Sequence, residues 1–225
     1  DTLSGLKERY VDYRYEFGSN ISDAQLIDLD SDDKAVIGNL KDGDQQLVVS
    51  AVDNAGNVTK QSVNVKKDTQ TPVLSVSADV TSYEQYKDVS FDVAVGPSGL
   101  ETMEVQARDY GAALEDTGWV DITDEYQNTD KHHVTENGTY YYRYKNRAGV
   151  WSEPASISFD TIDHTTPVVK LKAVKKDSQS SYTNKTWSGE NIVITFTNDA
   201  VNLGDTSFYY RIGDGTDWNI YTGNN

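Results

Sequence analysis

Apolar and polar residues alternate with a period of two along several short runs of this chain. Val89-Ser90-Phe91-Asp92-Val93-Ala94-Val95 and Ile192-Val193-Ile194-Thr195-Phe196-Thr197-Asn198 are two of them. Leu47-Val48-Val49-Ser50-Ala51 and Tyr140-Tyr141-Tyr142-Arg143-Tyr144 are two more. Successive side chains of a β-strand point to opposite faces, so each run predicts a strand with one face turned to a core. In the last two runs the alternate positions Leu47, Val49, Ala51 and Tyr140, Tyr142, Tyr144 are the expected core face. Turn residues follow both: Ala55-Gly56-Asn57 after the first and Ala148-Gly149 after the second, where a glycine supplies a positive φ.

The runs belong to a repeat. Asp68-Thr69-Gln70-Thr71-Pro72 recurs as Asp163-His164-Thr165-Thr166-Pro167, and the prolines are 167 − 72 = 95 positions apart. Anchored on the Ala-Gly turns, Leu47–Asn57 matches Tyr140–Val150. Gly99-Leu100-Glu101-Thr102-Met103-Glu104-Val105 matches Gly5-Leu6-Lys7-Glu8-Arg9-Tyr10-Val11 and takes the place of Thr206–Ile212. Trp119-Val120-Asp121-Ile122 parallels Trp218-Asn219-Ile220-Tyr221. A repeat of ~100 residues built from short alternating strands is the length of one immunoglobulin-like sandwich. The expected fold is therefore all-β: tandem immunoglobulin-like antiparallel β-sandwich modules placed end to end. The expected modules are 1–71, without recognisable first strands, 72–166, complete, and 167–225, without its last strands. A half-module leaves strand edges unpaired, so the outer pieces are expected to come from a larger protein and to pair between neighbouring chains or within one chain.

The Ala-Gly-Asn turn at 55–57, the Asn-Gly-Thr-Tyr-Tyr-Tyr run at 137–142, Trp-Val-Asp-Ile-Thr at 119–123 and the Asp-Thr-x-x-Pro junction at 68–72 resemble the tandem bacterial immunoglobulin-like (Big-type) repeats of Gram-positive surface and secreted proteins. The second junction departs with His164 in place of Thr. The resemblance implies an extracellular, cell-surface or cell-wall location. It also implies a role as an adhesin stalk, a spacer in a secreted enzyme, or a binding module. It brings no catalytic residues.

Composition narrows the function classes. The net charge is −16. Nucleic-acid binding needs clustered Lys and Arg, so neither nucleic acid nor an anionic lipid surface is an expected partner. No apolar run approaches the ~20 residues of a membrane-spanning helix, and no signal peptide opens the chain. The absence of cysteine excludes a thiol nucleophile and cysteine-ligated zinc.

The candidate sites are sparse. Asp28, Asp30 and Asp32 have the one-three-five carboxylate spacing of a calcium loop, but Asp33, Ala35 and Asn39 break the rest of that grammar. The alternative is a solvated acidic turn, and no other cofactor is expected. His132 and His133, adjacent on a strand, point to opposite faces and are poorly placed to share a metal. Trp119 and Trp218 hold equivalent repeat positions, which points to shared packing. Trp151, after its Ala-Gly turn, and Trp187, in a polar loop, are the candidates for stacking on a glycan.

The leading expectation is a structural spacer or stalk of a bacterial surface protein, with adjacent domains of the parent protein as its partners. It would work mechanically, as stiff sandwiches joined by short proline-containing linkers. The rival is a module that binds a host protein or a glycan through loops or a sheet edge. An enzyme is not expected.

Overall fold

The computed structural model describes residues 5–15, 25–26, 34, 36, 40–198, 208–211 and 216–221. By its contacts the chain divides into two units: residues 1–78 with 88–160, and residues 79–87 with 161–225.

In the first unit, β1 (Leu6–Tyr15), β2 (Gln25–Leu26), β3 (Gly43–Asp53) and β4 (Val58–Lys67) form an antiparallel sheet in the order β2-β1-β3-β4. Seven further strands follow: β5 (Val73–Ser77), β6 (Lys87–Ala94), β7 (Leu100–Arg108), β8 (Val120–Asp121), β9 (Lys131–Val134), β10 (Gly138–Asn146) and β11 (Ala155–Phe159). They make two sheets, β5-β6-β9 and β11-β10-β7-β8. This is the two-sheet arrangement of an immunoglobulin-like sandwich. The one helix among the described residues, α1 (Thr123–Thr129), fills the connection from β8 to β9.

The alternation in β10 carries the core. Tyr140, Tyr142 and Tyr144 are buried, and the intervening Tyr141, Arg143 and Lys145 are half-buried. Phe91 of the opposite sheet meets the Tyr142 ring edge-on at 5.1 Å and the Tyr126 ring of α1 at 5.4 Å. Such pairs add about 0.5–1.5 kcal/mol each beyond the area they bury. Val89 is buried, as the alternation predicts, while Phe91 and Val93 are half-buried. The Tyr140 hydroxyl donates to the carbonyl of Glu136, four residues upstream, at 2.7 Å. A tyrosine near the start of this strand that bonds back to upstream backbone is a hallmark of the immunoglobulin-like sandwich.

The first sheet repeats the second in detail. Its order β2-β1-β3-β4 matches β8-β7-β10-β11. Gly5 and Gly99 both have φ 69°, and their carbonyls accept from Asn54 N and Arg147 N at 3.1 Å in each case. Leu6 lies opposite Asp53 and Leu100 opposite Asn146, and in both strands the register slips directly after that pair. The core face of β3 differs from expectation. Leu47 is buried, but Val49 is 43% exposed and Ala51 is half-buried, while Val48 and Ser50 on the other face are buried. Alternation marks the two faces of a strand, and which face is covered depends on partners elsewhere in the chain.

In the second unit, β12 (Val169–Lys175) pairs with β13 (Ile192–Asn198), and β14 (Phe208–Tyr210) with β15 (Asn219–Tyr221), all antiparallel. The Phe196 and Phe208 rings lie 5.8 Å apart. The repeat alignment is corrected here by two residues. Val105 pairs with Val120 and Tyr210 with Asn219, so Tyr210 corresponds to Val105 and not to Met103. The shift is even, so the faces stay the same.

Candidate functional site

In a chain of repeats, what joins the repeats decides what the chain can do mechanically. The first junction, residues 68–72, is hydrogen-bonded on both sides. On the preceding side, the Thr69 backbone N–H and hydroxyl both donate to the Asp42 carboxylate, and Lys67 Nζ donates to the Leu40 carbonyl at 2.7 Å. On the following side, the Asp68 carboxylate accepts from the Ser98 amide at 3.1 Å, from the Ser98 hydroxyl, and from Asn146 Nδ2 at 3.3 Å. Asp68 also accepts from the Gln70 amide, two residues on, at 3.1 Å. Asn146 Nδ2 bonds in addition to the Gln70 carbonyl at 3.2 Å, and Pro72 is fully buried.

Asn146 is the hub. Its Oδ1 accepts from Ala148 N and Val150 N and so caps the Ala-Gly turn, in which Gly149 has φ 85°. In the first sheet Asp53 does the same work for Ala55 and Asn57. Only an amide can cap the turn with its oxygen and also donate to an acid with its nitrogen. The Ser98 hydroxyl, followed by backbone amides, holds the Asp68 carboxyl below the usual carboxylate range.

The second junction reuses the motif. Asp163, 163 − 68 = 95 positions on, accepts from Thr165 N at 2.7 Å, again two residues ahead. The Thr165 hydrogen bonds lower the Asp163 pKa. Asp163 N donates to the Glu84 carbonyl, and Glu84 N to the Thr161 carbonyl.

The tryptophans divide as follows. Arg143 sits 4.1 Å from the ring centroids of both Trp119 and Trp151, held there by Glu104, whose carboxylate accepts from Nε at 2.7 Å and pairs with a terminal nitrogen at 2.6 Å. Both rings are half-buried in a cation–π stack on the outer face of β7 and β10. Trp218 has Arg211 at 5.2 Å but is 61% exposed, so it does not share the half-buried packing of Trp119. Trp187 stands fully exposed in a loop tied by Tyr182 Oη to the Thr186 carbonyl and by Thr186 Oγ1 to the Thr183 carbonyl. Trp151 and Trp187 lie in different units, so no common aromatic surface is described for them. Asp28, Asp30 and Asp32 lie outside the described residues.

His132 and His133 point to opposite faces of β9. His132 Nδ1 lies 3.0 Å from the Tyr142 hydroxyl, while His133 Nδ1 lies 3.0 Å from Asp88 Oδ1. Burial pushes the His132 pKa down, against the opposing pull of Glu125, whose Oε2 is 3.9 Å from Nε2. Burial also pushes the Tyr142 phenol far up, so it stays a neutral hydroxyl at any working pH.

Comparison with known proteins adds little. No family model matches the chain. No curated protein matches it either. Among solved structures it is similar to one described as the "Crystal structure of tetra-tandem repeat in extending region of large adhesion protein", at 19% identity, with a TM-score of 0.33, over 87% of this chain and 55% of that one. The chain thus spans about half the length of the structure it matches. The fold assignment rests on strand order and register, not on this likeness.

Proposed function

We propose that this chain is a structural spacer, part of the stalk of an extracellular bacterial surface protein of the immunoglobulin-like repeat type, holding another domain away from the cell. The observation that carries this reading is the braced first junction. A free linker would leave neighbouring repeats to reorient. Here Asp68, Thr69 and Gln70 are tied to the loop before and to the turn after. The residue before each proline, Thr71 and Thr166, is biased to extended backbone, which shortens the hinge further. A spacer of this kind needs no cofactor and no catalytic group, and its partners are the neighbouring domains of the parent. Small-angle scattering on the 225-residue chain tests it. The expected radius of gyration is well above the ~17 Å of a compact globule of this length. A compact, near-spherical profile would remove the stalk reading.

One observation favours a second reading, a glycan- or protein-binding module: the fully exposed Trp187 on a loop braced by its own hydrogen bonds. A rigid exposed ring loses little entropy on stacking against a sugar or an apolar side chain. Loss of glycan-array binding on Trp187→Ala would support this reading, and an array with no hits for the unaltered chain would dismiss it.

A further inference from the structure

A groove of about 440 Å³ opens beside the first junction, lined from the preceding sheet by Asp44, Lys66 and Lys67 and from the following sandwich by Ser98 and Arg147. Its charge is out of character for the molecule. The chain carries −16 overall, yet this one groove is lined by three cationic residues against two carboxylates, Asp44 and Asp68. Lys66 is paired with Asp44 at 3.1 Å. Lys67 and Arg147 have no carboxylate partner among the described residues. Lys67 bonds only the Leu40 carbonyl, and Arg147 reaches only the Ser98 carbonyl, at 3.5 Å. An ammonium has three donors and a guanidinium five, so most of their capacity is unused.

The same groove limits what the anion can be. Asp68 and Asp44 stand at its wall, so a densely charged ligand would meet two carboxylates there and the negative field of the whole chain beyond. A ligand with one carboxylate and several hydroxyls meets neither difficulty. Its carboxylate takes the free donors of Lys67 and Arg147, and its hydroxyls donate to Asp44 or to the Ser98 hydroxyl oxygen, because the Asp68 carboxylate already accepts from four donors.

We propose that this groove is a binding site for an acidic sugar residue of the uronic-acid class, whose carboxylate bridges Lys67 of one repeat and Arg147 of the next. This goes beyond the spacer reading and does not depend on it. A ligand seated there would tie the two repeats together beside the hydrogen bonds that brace the junction.

The test is an amide-resolved NMR titration of the full chain at low ionic strength with methyl β-glucuronide. The neutral methyl β-glucoside, inorganic phosphate and a tri-glutamate peptide serve as comparison ligands. The expected result is saturable shifts at the Ser98 and Ala148 amides with the glucuronide, and about tenfold weaker binding of the glucoside, which lacks the charge-assisted bonds. The double variant Lys67→Gln/Arg147→Gln should likewise bind the glucuronide about tenfold more weakly. Should that variant prove unfolded by thermal melting, Arg147→Gln alone, at an exposed turn, is read in its place with the same direction expected. No saturable shift, an equal response to the glucoside, undiminished binding by the variant, or equally tight binding of phosphate or the acidic peptide would each overturn the proposal.

Discussion

Asn146 donates from Nδ2 to the Asp68 carboxylate at 3.3 Å while its own side chain is wholly buried. The equivalent position in the first sheet is Asp53, which caps the same turn but has no N–H to give. Asn146→Asp therefore keeps the turn and breaks the junction, because it sets two carboxylates against each other. The expected loss is about 1–3 kcal/mol, the cost of an unpaired buried polar group. It should be read as a lower midpoint in urea unfolding, with Asp68→Asn in the same chain recovering part of it. An Asn146→Asp chain as stable as the parent would show that the contact is incidental.

His132 gives the fold a pH dependence whose sign follows from its burial. Burial lowers the folded-state pKa below the unfolded value near 6.5, so just below that pH the unfolded chain binds the extra proton. Stability is then full above about pH 6.5 and falls as the pH drops toward the folded pKa. The lowered carboxyls of Asp68 and Asp163, and that of Asp79, which the Ser82 hydroxyl and Thr81 hold down by hydrogen bonds, act in the same direction but only below about pH 4, under their ordinary values, so the two windows separate. Urea unfolding between pH 7.5 and 5 should show a decline in the parent chain that is absent in His132→Gln. Parallel curves for the two would remove the assignment.

Arg143 holds Trp119 and Trp151 at equal distances and is itself fixed by Glu104. Lysine cannot reproduce a planar cation between two rings or a forked pair with a carboxylate. Arg143→Lys should cost about 1–2 kcal/mol, given ~0.5–1 kcal/mol for each partly exposed cation–π contact. It should also shift tryptophan emission to the red as the rings gain water. Unchanged emission would mean that the rings are held by other contacts.

Much of this fold is legible in the sequence, because repeats expose equivalent positions twice. Gly5 and Gly99, and Asp53 and Asn146, align by spacing and make the same backbone contacts, and Asp68 and Asp163 share the bond to the amide two residues ahead. What alternation does not reveal is which face is covered. Tyr142 is buried and Val49 is 43% exposed at matching positions, because Phe91 and His132, from other strands, pack against the tyrosine ring. Helix α1 is not legible in the sequence: Thr123–Thr129 buries no residue fully, so it has no apolar stripe for periodicity to find. The Trp–Arg–Trp stack depends on residues from three segments that meet only in the fold. Trp151 read alone looks available, whereas Arg143 and Lys145 already lie over its ring.

Asp28, Asp30 and Asp32 have the first half of a calcium-loop spacing without its Gly or its closing Glu. A site that bound the ion with useful affinity would raise the melting temperature by mass action. The expected outcome is the same midpoint in excess calcium and in chelator. A clear rise with calcium, abolished by Asp30→Asn, would assign the site.

Gly96 supplies the sharpest test of the junction, because the atoms nearest to a side chain placed there all belong to Asp68. A Cβ added there would lie 2.2 Å from Asp68 Oδ1 and 2.7 Å from Asp68 Cγ, closer than real contacts allow. The carboxylate is pinned by Ser98 and Asn146, so it cannot swing aside without breaking those bonds. Gly96→Ala must therefore displace Asp68 and unbrace the joint while leaving both flanking sheets intact. Two readings should separate. The amides of β10 and β7 should keep their hydrogen-exchange protection, which reports the sandwich core. The ¹⁵N relaxation times of the residues in β3 and β4 should part from those of β10 and β7, as the repeats begin to tumble independently. Should protection fall throughout, Gly96 would matter to the sandwich itself. Should relaxation stay uniform, the junction would be stiff for reasons other than Asp68, and the bracing argument for a spacer would lose its central contact.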